Sequence, residues 1–198
     1  MKLKLLFLLF FTTLSSFAQY TLIPDVNFEK KLIALRIDYG YADGKVLTGS
    51  ISSLTSLDVS IASINDLTGI QYFTNLTSLN CSSNKLTTLD VSKNTALTSL
   101  DCNSNRLTIL DVSKNTALAS LDCSTNSNYS QLTTLDISKN IALMTLNCSS
   151  NQLTTLDVSN NTALTSLDCS YNQLITLDVS KNTALKYLDL MSNQLTTL

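Results

Sequence analysis

From Leu76 onward the chain restates one 21-residue unit, and that period constrains its fold more than any other feature. The first copy runs Leu76-Thr-Ser-Leu79-Asn-Cys81-Ser-Ser-Asn84-Lys-Leu86-Thr-Thr-Leu89-Asp-Val91-Ser-Lys-Asn94-Thr-Ala96, and copies restart at Leu97, Leu118, Leu143, Leu164 and Leu185. The spacing is 21 throughout, except for 25 in the copy that begins at Leu118. A fixed period of this size implies a stacked solenoid, in which each unit is too small to bury its own apolar face and relies on its neighbours.

Within a unit, Leu79 and Cys81 alternate with Ser78, Asn80 and Ser82, which predicts a short half-buried strand. Strands from successive units should then pair in parallel. Asn84 ends the strand and recurs as Asn105, Asn126, Asn151, Asn172 and Asn193. An amide side chain both donates and accepts, so a buried column of them can satisfy backbone groups at each turn. The second half of the unit echoes the first, with Asn94, Asn115, Asn140, Asn161 and Asn182 closing it. It reads as a second short extended segment on the back of each coil, with irregular turn as the alternative. The fold class expected is mostly β, a solenoid of parallel short strands with a second extended segment on the back and an N-terminal helical cap.

Residues 54–198 hold about six and a half units, the first of them a less regular 22-residue copy starting at Leu54, with Ala62 in the asparagine place. Residues 19–53 are expected to form an N-terminal helical cap. Pro24 and Asp25 open an amphipathic stretch with Phe28, Leu32, Ile33 and Leu35 on one side, and Asp25 is the predicted N-cap. Residues 1–18 read as a signal peptide: Lys2 and Lys4, an apolar run from Leu5 to Phe11, then Ser16-Phe17-Ala18 before cleavage. A secreted or cell-surface protein is expected. The run is too short to span a bilayer, and no other stretch is apolar for long enough. The chain stops at Thr196-Thr197-Leu198, midway through a unit. Further C-terminal repeats, a cap or a sorting domain are therefore expected to cover this end.

The net charge is −2 with 14% charged residues and no basic patch, which argues against nucleic acid as a partner. Histidine is absent, removing the commonest general base and metal ligand. Cys81, Cys102, Cys123, Cys148 and Cys169 occupy one place in the repeat and should form a column at strand spacing, roughly 5 Å. Side chains pointing in parallel into a core have the wrong torsion for a disulfide, so the column reads as apolar filler. The close pairs that metal sites use are missing.

These residues resemble the leucine-rich repeat family, whose strand-and-asparagine pattern fits every unit from Leu76 on. The cysteine column and 21-residue length are similar to the cysteine-ladder, internalin J-like branch. The leader ending Ser-Phe-Ala-Gln resembles those of secreted Bacteroidetes proteins. The resemblance implies a right-handed curved solenoid that binds a partner through its concave strand face, as a module for adhesion or recognition. The partner would be a protein or a glycan, and no cofactor is implied.

On that face the candidate binding residues are Asn80, Asp101, Asn103, Asp122, Asn147, Asp168, Tyr187, Asp189 and Met191, among outward serines expected to be exposed. Tyr129, in the four-residue insertion near Ser127-Asn128-Tyr129-Ser130, would anchor a loop that either binds or is merely tolerated. Asp90, Asp111, Asp136, Asp157 and Asp178 form a second acidic column on the back, but a line of carboxylates supplies the six to eight oxygens of a calcium site poorly. The stretch Asp38–Gly44 resembles a calcium loop only faintly. No catalytic and no metal-binding residues are expected, because the carboxylates sit on a regular wall and not in a cleft. Two other functions fit less well: a passive spacer in a larger secreted protein, and an ice binder using the Thr87-Thr88, Thr133-Thr134, Thr154-Thr155 and Thr196-Thr197 strip. The charged column and Ile109 and Ile175 interrupt that strip.

Overall fold

The computed structural model describes residues 19–125 and 131–196. The expected signal peptide, Asn126, Tyr129 and the rest of the insertion lie outside the described residues. Seven strands of three residues each form one parallel sheet in sequence order: β3 (Ser56–Asp58), β4 (Ser78–Asn80), β5 (Ser99–Asp101), β6 (Ser120–Asp122), β7 (Thr145–Asn147), β8 (Ser166–Asp168) and β9 (Tyr187–Asp189). The register is uniform. Leu57, Leu79, Leu100, Leu121, Leu146, Leu167 and Leu188 stand side by side, so every coil lays its leucine on the next. The 25-residue copy keeps this register, pairing Leu121 with Leu146.

The core is the stack of inward residues. Leu76, Leu79, Cys81, Leu86 and Val91 of a single coil are all buried, and their counterparts continue along the axis. Each such leucine contributes about 1.5–3 kcal/mol on burial. Backbone pairing runs past the strand, with Cys81 N–H donating to Asp101 O at 2.8 Å and Ser83 N–H to Asn103 O at 3.0 Å. Ser83 then takes a left-handed conformation (φ 53°), and the same place does so in every described coil: Ile61, Ser104, Thr125, Ser150, Tyr171 and Ser192. That residue turns the chain off the sheet.

Two asparagine columns hold the turns. In the first, Asn172 donates from Nδ2 to Cys148 O (3.0 Å) and Cys169 O (3.1 Å) while its Oδ1 accepts the Leu153 N–H (3.0 Å). It thereby ties two coils together as donor and acceptor. In the second, Asn161 donates to Ile137 O (3.1 Å) and Asn140 O (2.9 Å). Its Oδ1 is buried without a partner, as are those of Asn94, Asn115, Asn140 and Asn182. The back of the coil is mostly turn: single backbone bonds join neighbouring coils beside it, such as Arg106 N–H to Leu86 O at 2.8 Å, but no second strand ladder forms there among the described residues. The second extended segment expected there is thus corrected: irregular turn, the alternative, is what the chain adopts. The carbonyls that a back strand would offer its neighbour are taken instead by these amides.

Ahead of the sheet lie β1 (Tyr20–Leu22), α1 (Val26–Ala34), β2 (Lys45–Leu47) and α2 (Thr48–Ile51). The cap is therefore more than the expected helix, since β1 and β2 pair antiparallel beside it. Asp25 is the N-cap, accepting from Asn27 N–H (2.8 Å) and Phe28 N–H (2.9 Å) through Oδ1. Phe28 and Leu32 are fully buried, and the Phe28 ring stacks on Phe73 at 6.1 Å between centroids, which joins the cap core to that of the coils. Ile33 is only half-buried and Leu35 is 41% exposed, because Leu35 already stands at the C-cap, where the chain leaves the coil core. Glu29, 1% exposed, accepts backbone N–H groups of Asp43 (2.8 Å), Gly44 (2.9 Å) and Lys45 (3.3 Å). The loop that faintly resembled a calcium site thus turns amide donors inward, the wrong polarity for a cation.

Candidate binding face

Outward positions of the sheet carry one polar column: Asp58, Asn80, Asp101, Asp122, Asn147, Asp168 and Asp189, one at the end of each strand. Each turns its Oδ1 back onto the chain two residues later. Asn80 accepts from Ser82 N–H (3.0 Å) and Oγ–H (2.7 Å), Asp122 from Ser124 (3.0 and 2.6 Å) and Asp168 from Ser170 (3.0 and 2.6 Å). Asn147 binds Ser149 in the same way. In β5 the partner is Asn103, whose backbone N–H and Nδ2 reach Asp101 Oδ1 at 3.1 and 2.7 Å. This corrects one expectation: Ser82, Ser124, Ser149 and Ser170 are buried, not exposed, because closing this turn folds the hydroxyl under the carboxylate or amide. The oxygens left to meet a partner are the Oδ2 atoms of the aspartates. Asn147 reaches one of them, donating from Nδ2 to Asp122 Oδ2 at 3.2 Å across the strand boundary.

The column is acidic and partly desolvated. Burial pushes the Asp101 carboxyl above its usual range, with Asp122 one strand away adding to the effect and the Asn103 N–H opposing it. No outward strand position from Ser56 to Met191 carries lysine or arginine among the described residues.

At β9 the column changes character. Tyr187 (52% exposed) donates from Oη to Asp189 Oδ2 at 3.4 Å, Asp189 Oδ1 accepts the Met191 N–H at 2.9 Å, and Tyr171 donates from Oη to Met191 Sδ at 3.4 Å. Tyr171 (54%) and Met191 (59%) are likewise exposed. The charges of Asp189 and Asp168 push the Tyr187 hydroxyl above its usual value. The structure therefore brings Asp168, Tyr187, Asp189 and Met191 together in one corner and leaves Asn80, Asp101, Asn103 and Asp122 along the sheet. Tyr171 was not singled out from sequence. The signal that could have found it is a tyrosine where other coils carry serine or threonine.

The five ladder cysteines are buried thiols. Burial pushes all of them up, Cys169 to about 12 and the other four further, so thiolate chemistry is suppressed. The back carries shallow grooves of about 290, 290 and 260 Å³, two of them between successive aspartates such as Asp157 and Asp178. These two follow the coil period and so arise from stacking alone. Among the described residues no three carboxylate or thiol side chains converge as a metal site would require, and no helix is long and apolar enough to cross a membrane.

No protein-family model matches the chain. A 72-residue stretch, 36% of this chain, is 47% identical to internalin J of Listeria monocytogenes serotype 4b (strain F2365) and corresponds to 8% of that protein. Among solved structures, the functional domain of the Listeria monocytogenes internalin J, which includes a cysteine ladder, superposes with a TM-score of 0.53 at 34% identity, over 91% of this chain and 49% of that one. Internalin F of Listeria monocytogenes strain 4b F2365 superposes with a TM-score of 0.72 at 25% identity, over 89% of this chain and 59% of that one. The chain thus spans about half the length of these solved relatives.

Proposed function

We propose that this chain, an internalin-like leucine-rich repeat protein with a cysteine ladder, is a secreted or cell-surface recognition module that binds a protein or glycan partner across the outward face of its sheet. The observation that carries the reading is the face itself. Seven strands present one continuous polar column, exposed at Asp58 and half-buried along the rest, ending in a corner of exposed tyrosine and methionine. Recognition sites draw on such aromatic anchors. The alternative surfaces offer less, since the back grooves are shallow and repeat with the coil. Binding and not catalysis fits a wall of equivalent positions.

The test is a blocked face. Ser120 lies in the central strand β6 and is half-buried on the outward side. A panel of purified glycoproteins and polysaccharides is screened for binding to the full chain and to Ser120→Arg. Capture of a partner by the wild type and its loss in the variant is the expected result. Equal binding by both, or none by either, overturns the reading and leaves the spacer.

A further inference from the structure

Three departures from the repeat meet in one corner of the sheet. Tyr187 stands where β4, β5, β6 and β8 begin with serine and β7 with threonine. Met191 stands where Ser82, Ser124, Ser149 and Ser170 close their turns with a hydroxyl. Tyr171 holds the left-handed turn position (φ 53°), a conformation unfavourable for a bulky side chain and filled by serine or threonine in the four coils before it and in the next. All three replace a small polar group by a large, exposed one with a π face or a polarisable sulfur. Contacts link them in series, Tyr187 to Asp189 to Met191 to Tyr171.

The outward strand positions around them carry charge of one sign. Asp168 and Asp189 are register partners on adjacent strands, and both act on the Tyr187 hydroxyl. Lys186 is exposed beside Tyr187, but no basic side chain occupies an outward strand position. Tyrosine faces attract cations, and methionine adapts to long alkyl stems.

We propose that Tyr171, Tyr187 and Met191, with Asp168 and Asp189, form the anchor site for a lysine or arginine side chain of a protein partner. This rests on the reading of the sheet face as a recognition surface and narrows the partner to a cationic protein segment. The aromatic faces hold the ammonium or guanidinium, the carboxylates neutralise it, and the remaining aspartates of the face steer a basic segment along the strands.

The probes are fluorescein-labelled nona-lysine and nona-arginine, with nona-glutamate as control, titrated by fluorescence anisotropy against the full chain at low and high salt. Tyr171→Ser with Tyr187→Ser restores residues that other coils carry and so keeps the fold. The expected result is binding of the basic peptides that weakens with salt, a loss of about tenfold in affinity in the double variant, and a change of less than about twofold in Asp157→Asn on the back. The inference is overturned if the double variant binds as the wild type does, if Asp157→Asn weakens binding equally, or if neutral oligosaccharides bind the corner and the basic peptides do not. Should the corner variant keep the partner that Ser120→Arg loses, the recognition reading stands and this inference alone fails.

Discussion

Asp25 and Asn65 are 40 positions apart, yet the carboxylate that caps helix α1 through Oδ1 accepts the Asn65 backbone N–H through Oδ2 at 2.8 Å. The Asp66 N–H joins at 3.2 Å. One side chain thus starts the helix and fastens the cap to the first coil.

Replacing Asp25 by alanine is expected to lower stability by about 1–3 kcal/mol, more than an ordinary N-cap loss, because two further N–H groups lose their acceptor. Against an opposing burial effect, the bonds from Asn65, Phe28, Asn27 and Asp66 hold the carboxyl below 3.8. Its contribution is complete above that unfolded value and is lost as pH falls through the lower folded one. Thermal unfolding at pH 7 and pH 3 checks both points, since the gap between wild type and Asp25→Ala should narrow at pH 3.

Gly69 has φ 108°, and a Cβ there would lie 2.7 Å from Leu22 O and against the Ile23 side chain. Gly69→Ala should cost about 1–3 kcal/mol, combining backbone strain with displacement of the end of β1. Gly40 shares a positive φ (89°) but has open space around it, so Gly40→Ala carries only the conformational cost. Urea unfolding of the pair separates the two contributions.

The two asparagine columns should respond unequally to truncation. Asn172→Ala strips an acceptor from the Leu153 N–H and a donor from three carbonyls, at a cost of about 2–3 kcal/mol. Asn161→Ala also strands two carbonyls but removes an amide oxygen that had no partner, so about 1 kcal/mol is expected. Chemical denaturation midpoints at constant m-value give the order.

All five thiols should be silent in the native protein. Maleimide or disulfide-exchange reagents are expected to label none of them at pH 7.5 until denaturant opens the coils, whereupon all five react. Fast labelling under native conditions would show that the ladder breathes, and mass spectrometry of the labelled chain would locate the coil.

Tyr171→Asn should raise stability by about 0.5–1 kcal/mol, because asparagine tolerates the left-handed turn that tyrosine occupies under strain. Thermal unfolding reads this gain. Combined with weaker peptide binding, it would mark the residue as kept for contact and not for the fold.

The solenoid was legible because its information is restated in every unit: Leu79, Cys81 and Asn84 each recur in one place, and recurrence fixes strand, ladder and turn together. The cap was legible only in part. Asp25 and Phe28 announce a helix start, whereas Tyr20–Leu22 and Lys45–Leu47 are too short and too far apart to reveal their pairing. On the back, Thr and Val suggested extended chain, but nothing in their spacing tells that Asn161 and its equivalents intercept the carbonyls. The alternation put Asn80, Asp101, Asp122, Asn147, Asp168 and Asp189 on the outward side of the strands but gave no hint that Ser82, Ser124, Ser149 and Ser170 are buried. Alternation separates inside from outside, but it does not show that Asp168 and Ser170 close a local ring. Tyr171 stands out in the repeat against Ser83, Ser104, Thr125, Ser150 and Ser192, but the sequence does not display the positive φ that makes a bulky side chain there unfavourable.

Uniform register makes length a free variable of this architecture. Excising residues 97–117 would set Leu118 where Leu97 stood, with the same neighbours above and below, so whole coils can be gained or lost in descent without redesign of the interior. A change of any other size has to be shed outside the ladder, as the 25-residue copy does while Leu121 still meets Leu146. The molecule can therefore lengthen its contact surface in steps of one strand, roughly 5 Å, without altering how any single coil is built.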